Sequence, residues 1–352
     1  MRKLLILILG CFIAIVQYGC STKIDIAAPY QNETVIYGLL DQNDTAHYIR
    51  IEKAFLDNSK SSITMAKVAD SSYYNNLDVI MEEIDASGNF VDSINLTKVD
   101  LNLEGYPKQD GPFFTAPNYA YKFKNQLDRS YTYRLKVTNL QTGICDSGQA
   151  KIIVDNDVTV FNIPKIDNSE AFDFHSIING RQLLVYGTYS DVNVSNLVGI
   201  AQSYIEFNWV DSNTFTQVKT PRSFKMDLGY TTLSASGLFQ FAVPNITLYY
   251  AMQSGLGAAP ANTARLLSRC QLYVYLGSPD YYNYFEYSLV AGTGLTGSQI
   301  EPAFTNLQGK NVLGLFTSRA MRYGWVTISR ETVDSLRISP ILSSCNIAGT
   351  VY

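Results

Sequence analysis

The sequence predicts a mainly β protein, and three observations predict it. Short runs with a two-residue apolar period, such as HYIRI at 47 to 51, recur along the chain and are separated by Asn, Asp and Gly clusters. The 25 tyrosines and 17 phenylalanines suit half-buried pleated faces, while charged residues make up only 16% of the 352, too few for a disordered chain. No heptad, internal repeat or low-complexity tract competes with that reading.

The first element is not a strand. Arg2 and Lys3 precede an apolar stretch from Leu4 to Val16, and Gly19 stands just before Cys20, which is the order of parts in a secretory leader. The stretch is shorter than the ~20 residues a bilayer-spanning helix needs. A small residue followed at once by cysteine resembles the lipobox of bacterial lipoproteins, with Gln17 and Tyr18 departing from its usual residues. That resemblance implies cleavage after residue 19, lipid on Cys20 and a tether over 20–31. Several acyl chains on one cysteine hold a protein at a membrane far longer than a single chain, at ~0.8 kcal/mol per buried methylene.

Residues 32–155 form the first predicted domain. TVIYGLL from 34 and HYIRIEKAF from 47 read as a hairpin about the polar turn DQND, 41 to 44. Further strands are expected at 77–84, 90–97, 119–124, 130–139 and 149–154, with a helical turn or two within 61–74. Seven strands in roughly 120 residues match a β-sandwich of immunoglobulin or fibronectin type III kind. LDRSYTYRLKV resembles the tyrosine corner of such sandwiches: Leu127 packs beneath the turn, and the Tyr133 hydroxyl bonds back to the main chain.

The polar text VDNDVTVFNIPKIDNSE, 154 to 170, sets the boundary of a second β-rich domain with a few short helices, 156–352. Strands are expected at 181–189, 203–210, 237–244, 270–276 and 323–329. Helices are expected at 262–270 and at 278–289, where Ser278 caps, Pro279 takes the first helical position, and Tyr282, Phe285 and Leu289 form a packing stripe. In EPAFTNLQGKNVLGLFTSRAMRYGW, 301 to 325, Gly309 and Gly314 flank a knot of Val312, Leu313, Leu315 and Phe316, read as a tight turn entering a buried strand that closes the domain.

Chemistry-bearing patterns are sparse. The chain lacks G-x-S-x-G, H-E-x-x-H and G-x-x-x-x-G-K, so no cofactor and no metal is expected. Its two histidines, His47 on an early strand's solvent face and His175 in a loop, are too few for a histidine-based triad or metal centre. Glu82, Glu83 and Asp85 are the densest acids, yet strand neighbours point to opposite faces, so a solvated sheet edge is expected. Asp41 and Asp44 are turn residues without calcium-loop spacing. Losing Arg2 and Lys3 with the leader takes the basic count from 27 to 25 against 31 acids, a net charge near −6 that disfavours nucleic acid as a partner. Of five cysteines, Cys11 leaves with the leader and Cys20 takes lipid, so at most one bridge forms among Cys145, Cys270 and Cys345; Cys270 with Cys345 is the expected pair. Trp209 and Trp325 are read as core, and exposure of either would mark a binding face.

The lipid cysteine followed by KIDI, the YGLL and HYIRIEKAF strands and the final GLF knot together resemble a family of Bacteroidota lipoproteins of unknown function, often encoded beside TonB-dependent outer-membrane receptors. The resemblance implies attachment at the outer membrane, at the cell surface or in the periplasmic leaflet, and carries over no catalytic residue. DTA at 44–46, DSI at 92–94 and DSL at 334–336 resemble the short O-glycosylation acceptor of the same bacteria, which makes Thr45, Ser93 and Ser335 candidate sites. The expected role is a non-catalytic accessory or binding module beside an outer-membrane transporter or surface assembly. The alternatives are an envelope glycan hydrolase using paired carboxylates, and a structural or adhesive surface protein.

Overall fold

Strands β1 (Glu33–Asp41) and β2 (His47–Ala54) form the expected hairpin, its turn closed by the Asp41 carboxylate, which accepts from the Asn43 amide at 3.1 Å. They open a computed structural model that describes residues 33–54, 62–154, 158–161, 171–177, 180–189, 197–292 and 304–352. The leader, Cys20, the tether and the 155/156 boundary lie outside the described residues. The molecule is mainly β, with several sheets and a few short helices.

Two sheets face each other across the first core. One comprises β3 (Leu77–Ile84), β4 (Phe90–Asn95), β7 (Thr132–Asn139) and β8 (Cys145–Lys151) in the order β4-β3-β7-β8. The other carries β1, β2, β5 (Thr97–Asp100) and β6 (Tyr119–Phe123). Ile36, Leu40, Ile49 and Phe123 of the second meet Met81, Leu135 and Val137 of the first, all alternating inward. Two short helices, α1 (Ser62–Ala66) and α2 (Ala69–Ser72), fall in the segment expected to hold helical turns. The tyrosine corner is present: Leu127 and Tyr133 are buried, and the Tyr133 hydroxyl accepts from the Asp128 amide at 2.8 Å.

The second core lies beneath the continuation of the same large sheet. Its strands are β12 (Ile200–Asn213), β13 (Lys219–Thr232), β15 (Thr263–Leu267), β16 (Cys270–Gly277), β17 (Val312–Ile328) and β18 (Ile347–Thr350), with β10 (Ala171–Phe172) added to β17. A separate sheet of β9 (Val158–Phe161), β11 (Gln182–Tyr189) and β14 (Leu238–Pro244), with helices α3 (Asn245–Leu256) and α5 (Arg330–Ile338), supplies much of the rest of this core. Helix α4 (Pro279–Gly292) is where the Ser278–Pro279 signal placed it, and the Ser278 hydroxyl accepts from the Tyr281 amide at 3.1 Å. Its Tyr282 and Phe285 are only half-buried.

Strand β17 joins the two cores. Its first half pairs in parallel with β1, Ile36 opposite Gly314 and Gly38 opposite Phe316; its second half runs antiparallel to β16. The glycines make the seam possible. A Cβ on Gly314, whose φ is +118°, would lie 2.0 Å from the Ile36 carbonyl oxygen, and one on Gly38 would lie 2.7 Å from the Phe316 ring. The GLF knot thus completes the first sandwich, and Leu307, Val312 and Phe316 belong to its core although they lie within the span of the second predicted domain.

Several expectations are corrected. Residues 262–270 hold no helix: Thr263, Arg265 and Leu267 alternate into the interior as strand β15. His47 is buried, not solvent-facing, because its ring stacks on Phe123 at 4.7 Å and its Nε2 meets the Asn125 carbonyl at 3.0 Å; burial lowers its pKa. Glu82 and Glu83 do point to opposite faces, but β3 is an interior strand, and Glu82 is held by Arg134 at 2.5 Å and Lys136 at 3.3 Å. Cys270 and Cys345 share the second core as free thiols, and burial raises the pKa of both. A common core does not by itself bring two Cβ atoms to the ~3.8 Å a bridge requires.

Candidate functional site

Along β12, β16 and β17, every second residue faces away from the core, and cross-strand register assembles these residues into rows. Glu206, Gln271 and Trp325 form one; Tyr204, Tyr273 and Tyr323 the next; Gln202, Tyr275 and Met321 the third; Ile200, Gly277 and Arg319 the last. Along β12 an acid, an aromatic ring and an amide follow one another, Glu206, Tyr204 and Gln202, while β16 sets Tyr273 and Tyr275 beside them and β17 adds Tyr323 and Trp325. The inward residues between them, Ile205, Leu272 and Val274, are buried and fix which way the tyrosines point.

A groove of about 300 Å³ runs over these rows. Helix α4 closes one end: Tyr281 lies directly on Gly277, where a Cβ would come within 2.5 Å of its ring. Lys225 of β13 flanks the groove, its Nζ 4.6 Å from the centroid of Tyr273. Arg319 lines the closed end, oriented by Asp41, whose Oδ2 accepts from Nε at 3.2 Å. Beyond the groove the platform continues onto Tyr323 and Trp325, 56% and 58% exposed. The Tyr273 and Tyr323 rings are 6.2 Å apart.

Polar contacts hold this face in place. The Tyr273 hydroxyl lies 2.8 Å from both Glu206 Oε2 and Gln271 Oε1, and Ser223 donates to Glu206 Oε1 at 2.9 Å. Desolvation, reinforced by the Glu206 carboxylate, pushes Tyr273 up to about 12, so it stays a neutral donor. Tyr204 meets Tyr275 edge-on at 5.8 Å. The residues lining the groove include no histidine, thiol or carboxylate. Their chemistry is stacking, hydrogen bonding and the attraction of two cations. Among the described residues no group of three or more His, Cys, Asp or Glu is placed to hold a metal ion, and no helix is long and apolar enough to cross a membrane.

The residues singled out in the sequence are scattered. Cys20 lies outside the described residues. Thr45 is exposed in the β1–β2 turn, beside a polar recess of about 420 Å³ formed with Lys124, Asn125 and Gln126. Ser93 is exposed on the edge strand β4. Ser335 is half-buried on α5 and hydrogen-bonds Tyr249. The two tryptophans divide: Trp209 is core, donating to Asp211 at 2.9 Å, whereas Trp325, also read as core, is on the surface. The tyrosines of the groove were missed. Their signal is the phase of CQLYVYL and SYIEFNWV, in which Tyr273 and Tyr275 are out of step with Leu272 and Val274, and Tyr204 with Ile205.

No protein-family model matches the chain, and no curated protein matches it. Among solved structures it is similar to the C-terminal globular domain of an oligosaccharyltransferase from Pyrococcus abyssi, at 10% identity and a TM-score of 0.22, over 68% of this chain and 47% of that one. A trypsin-activated alpha-2-macroglobulin from Escherichia coli is similar at 9% identity and a TM-score of 0.19, over 72% of this chain and 15% of that one. The chain thus spans less than half the length of either, and at these scores the likeness carries no argument.

Proposed function

We propose that the protein is a lipid-anchored outer-membrane protein, held through Cys20, whose folded body is a non-catalytic binding module in a complex with an outer-membrane transporter such as a TonB-dependent receptor, or with a surface assembly. The observation that carries the binding role is the open row of tyrosines on β12, β16 and β17 with its groove. Contiguous exposed aromatic surface is costly to leave in water and marks interaction sites. Tyrosine suits such a role because it offers large area with few rotatable bonds and a polar tip. A paired-carboxylate hydrolase would need two acids facing its substrate, whereas Glu206, beside the groove, is committed to Tyr273 and Ser223.

Two measurements test the parts separately. A palmitate analogue fed to cells labels the wild type and not Cys20→Ala; equal labelling removes the lipid anchor. The tagged protein, purified in mild detergent, brings down a stoichiometric partner that the double variant Tyr204→Ala, Tyr275→Ala loses. Recovery of the wild type alone removes the accessory role.

A further inference from the structure

We infer that the tyrosine groove binds a saccharide chain bearing carboxylates, of uronic-acid type. This rests on the binding-module reading and names the ligand class for that site. Three features of the groove converge on it. Its volume, about 300 Å³, falls at the small end of the ~300–1,000 Å³ typical of small-molecule sites. That is suited to a few sugar rings.

The second feature is an aromatic surface with hydrogen-bonding groups at its margin. A pyranose presents an apolar C–H face ringed by hydroxyls, so it needs an aromatic surface with hydrogen-bonding groups beside it. Tyr204, Tyr273 and Tyr275 supply the surface; their own hydroxyls and the Gln202 amide supply the groups. Each keeps hydrogen-bonding capacity beyond the internal bonds from Tyr273 to Glu206 and Gln271 and from Gln202 to Tyr204, and a purely apolar ligand would desolvate that remainder without giving it a partner. Tyr323 and Trp325, next along the platform, offer stacking positions for further rings of a chain longer than the groove.

The third feature is charge. Lys225 and Arg319 line the groove and no carboxylate does, in a protein whose 27 basic residues are outnumbered by 31 acidic ones. Arg319 is oriented by Asp41, and a planar guanidinium held in place presents a fork that matches a carboxylate. Lys225 stands on the solvent face of β13, over the Tyr273 ring, and reaches the same ligand as a point charge. A neutral saccharide would use neither cation.

Isothermal titration of the full-length protein, in a detergent without a sugar headgroup, tests this with trigalacturonate, neutral trigalactose and a triglutamate peptide. Trigalacturonate binds at least tenfold more tightly than either of the others. Lys225→Gln, an exposed position on β13, weakens trigalacturonate about tenfold, the worth of one charge-assisted contact, and leaves trigalactose unchanged. Tyr275→Ala weakens both sugars. Equal affinity for the neutral sugar overturns the charge, equal affinity for the peptide overturns the saccharide, and an unaffected Lys225→Gln overturns the site. Absence of heat from all three ligands also overturns the inference. If the double tyrosine variant still loses the co-purified partner, the binding-module reading survives that failure; if it keeps the partner, both fall.

Discussion

The two halves of β17 are one strand under opposite demands. From Val312 to Ala320 the strand is a seam, paired with β1 along one edge and closed on the other by Asn306, whose side-chain amide bonds the Phe316 main chain, with most of its side chains buried. From Met321 to Trp325 it is a platform, with Tyr323 and Trp325 turned to solvent. The seam cannot accept a methyl group at Gly314, whereas Gly324, in the same strand, has nothing within 4 Å of where a Cβ would stand. The same hydrogen-bonded strand thus serves fold at one end and offers a surface at the other. What separates the two is what covers each face.

Breaking the seam gives the largest effects. Phe316→Ala removes a fully buried ring from between Gly38, Gly148 and the first core, and should cost about 3–5 kcal/mol, read as a fall in the urea midpoint at constant slope. Gly314→Ala adds one methyl group where φ is +118° and the Ile36 carbonyl is in the way, so about 3 kcal/mol is expected from strain alone. Gly324→Ala is the matched control: with open space it should change stability by less than about 1 kcal/mol, in the stabilising direction if at all. Equal losses at the two glycines would mean that β17 does not pair with β1 in this register.

The seam also shows how far the sequence could be read. YGLL and the GLF knot both stand out as text, Gly38 and Gly314 included, and the strands of the first sandwich follow from their two-residue period. That Gly38 lies opposite Phe316 is not written locally, because a parallel pairing between residues 278 apart (316 minus 38) leaves no turn signal at either one. Strand β13 is obscured for a different reason: Pro221 and Gly229 bracket the two-residue period of Phe224, Met226 and Leu228, which pack against the second core, and an edge strand tolerates its proline. Residue type alone places Trp325 in a core, and only the cover over each face decides that matter.

Alkaline pH probes the seam's surroundings at intermediate cost. Burial holds Tyr133 and Tyr121, both in the first core, at about 12, against 10 for a free tyrosine. Because the unfolded chain releases these protons first, the contribution of the two tyrosines to stability is constant below pH 10 and is lost as pH rises from 10 to 12. Tyr133→Phe should reduce the steepness of that fall. It also deletes the acceptor for the Asp128 amide and should cost about 1 kcal/mol at neutral pH. A pH profile unchanged in slope would remove Tyr133 from the buried set.

The smallest effect is the most pointed. Tyr323→Ala and Trp325→Ala take away two large aromatic side chains, which in a core would cost about 3–5 kcal/mol each. On the platform each is expected to move the urea midpoint by no more than about 0.5 kcal/mol. A surface aromatic that contributes so little to folding has no structural reason to be large. If truncation leaves stability intact, the area of Tyr323 and Trp325 is available for a ligand. A loss of several kcal/mol would instead show that something in the fold covers them, and the contrast between the two halves of β17 would disappear.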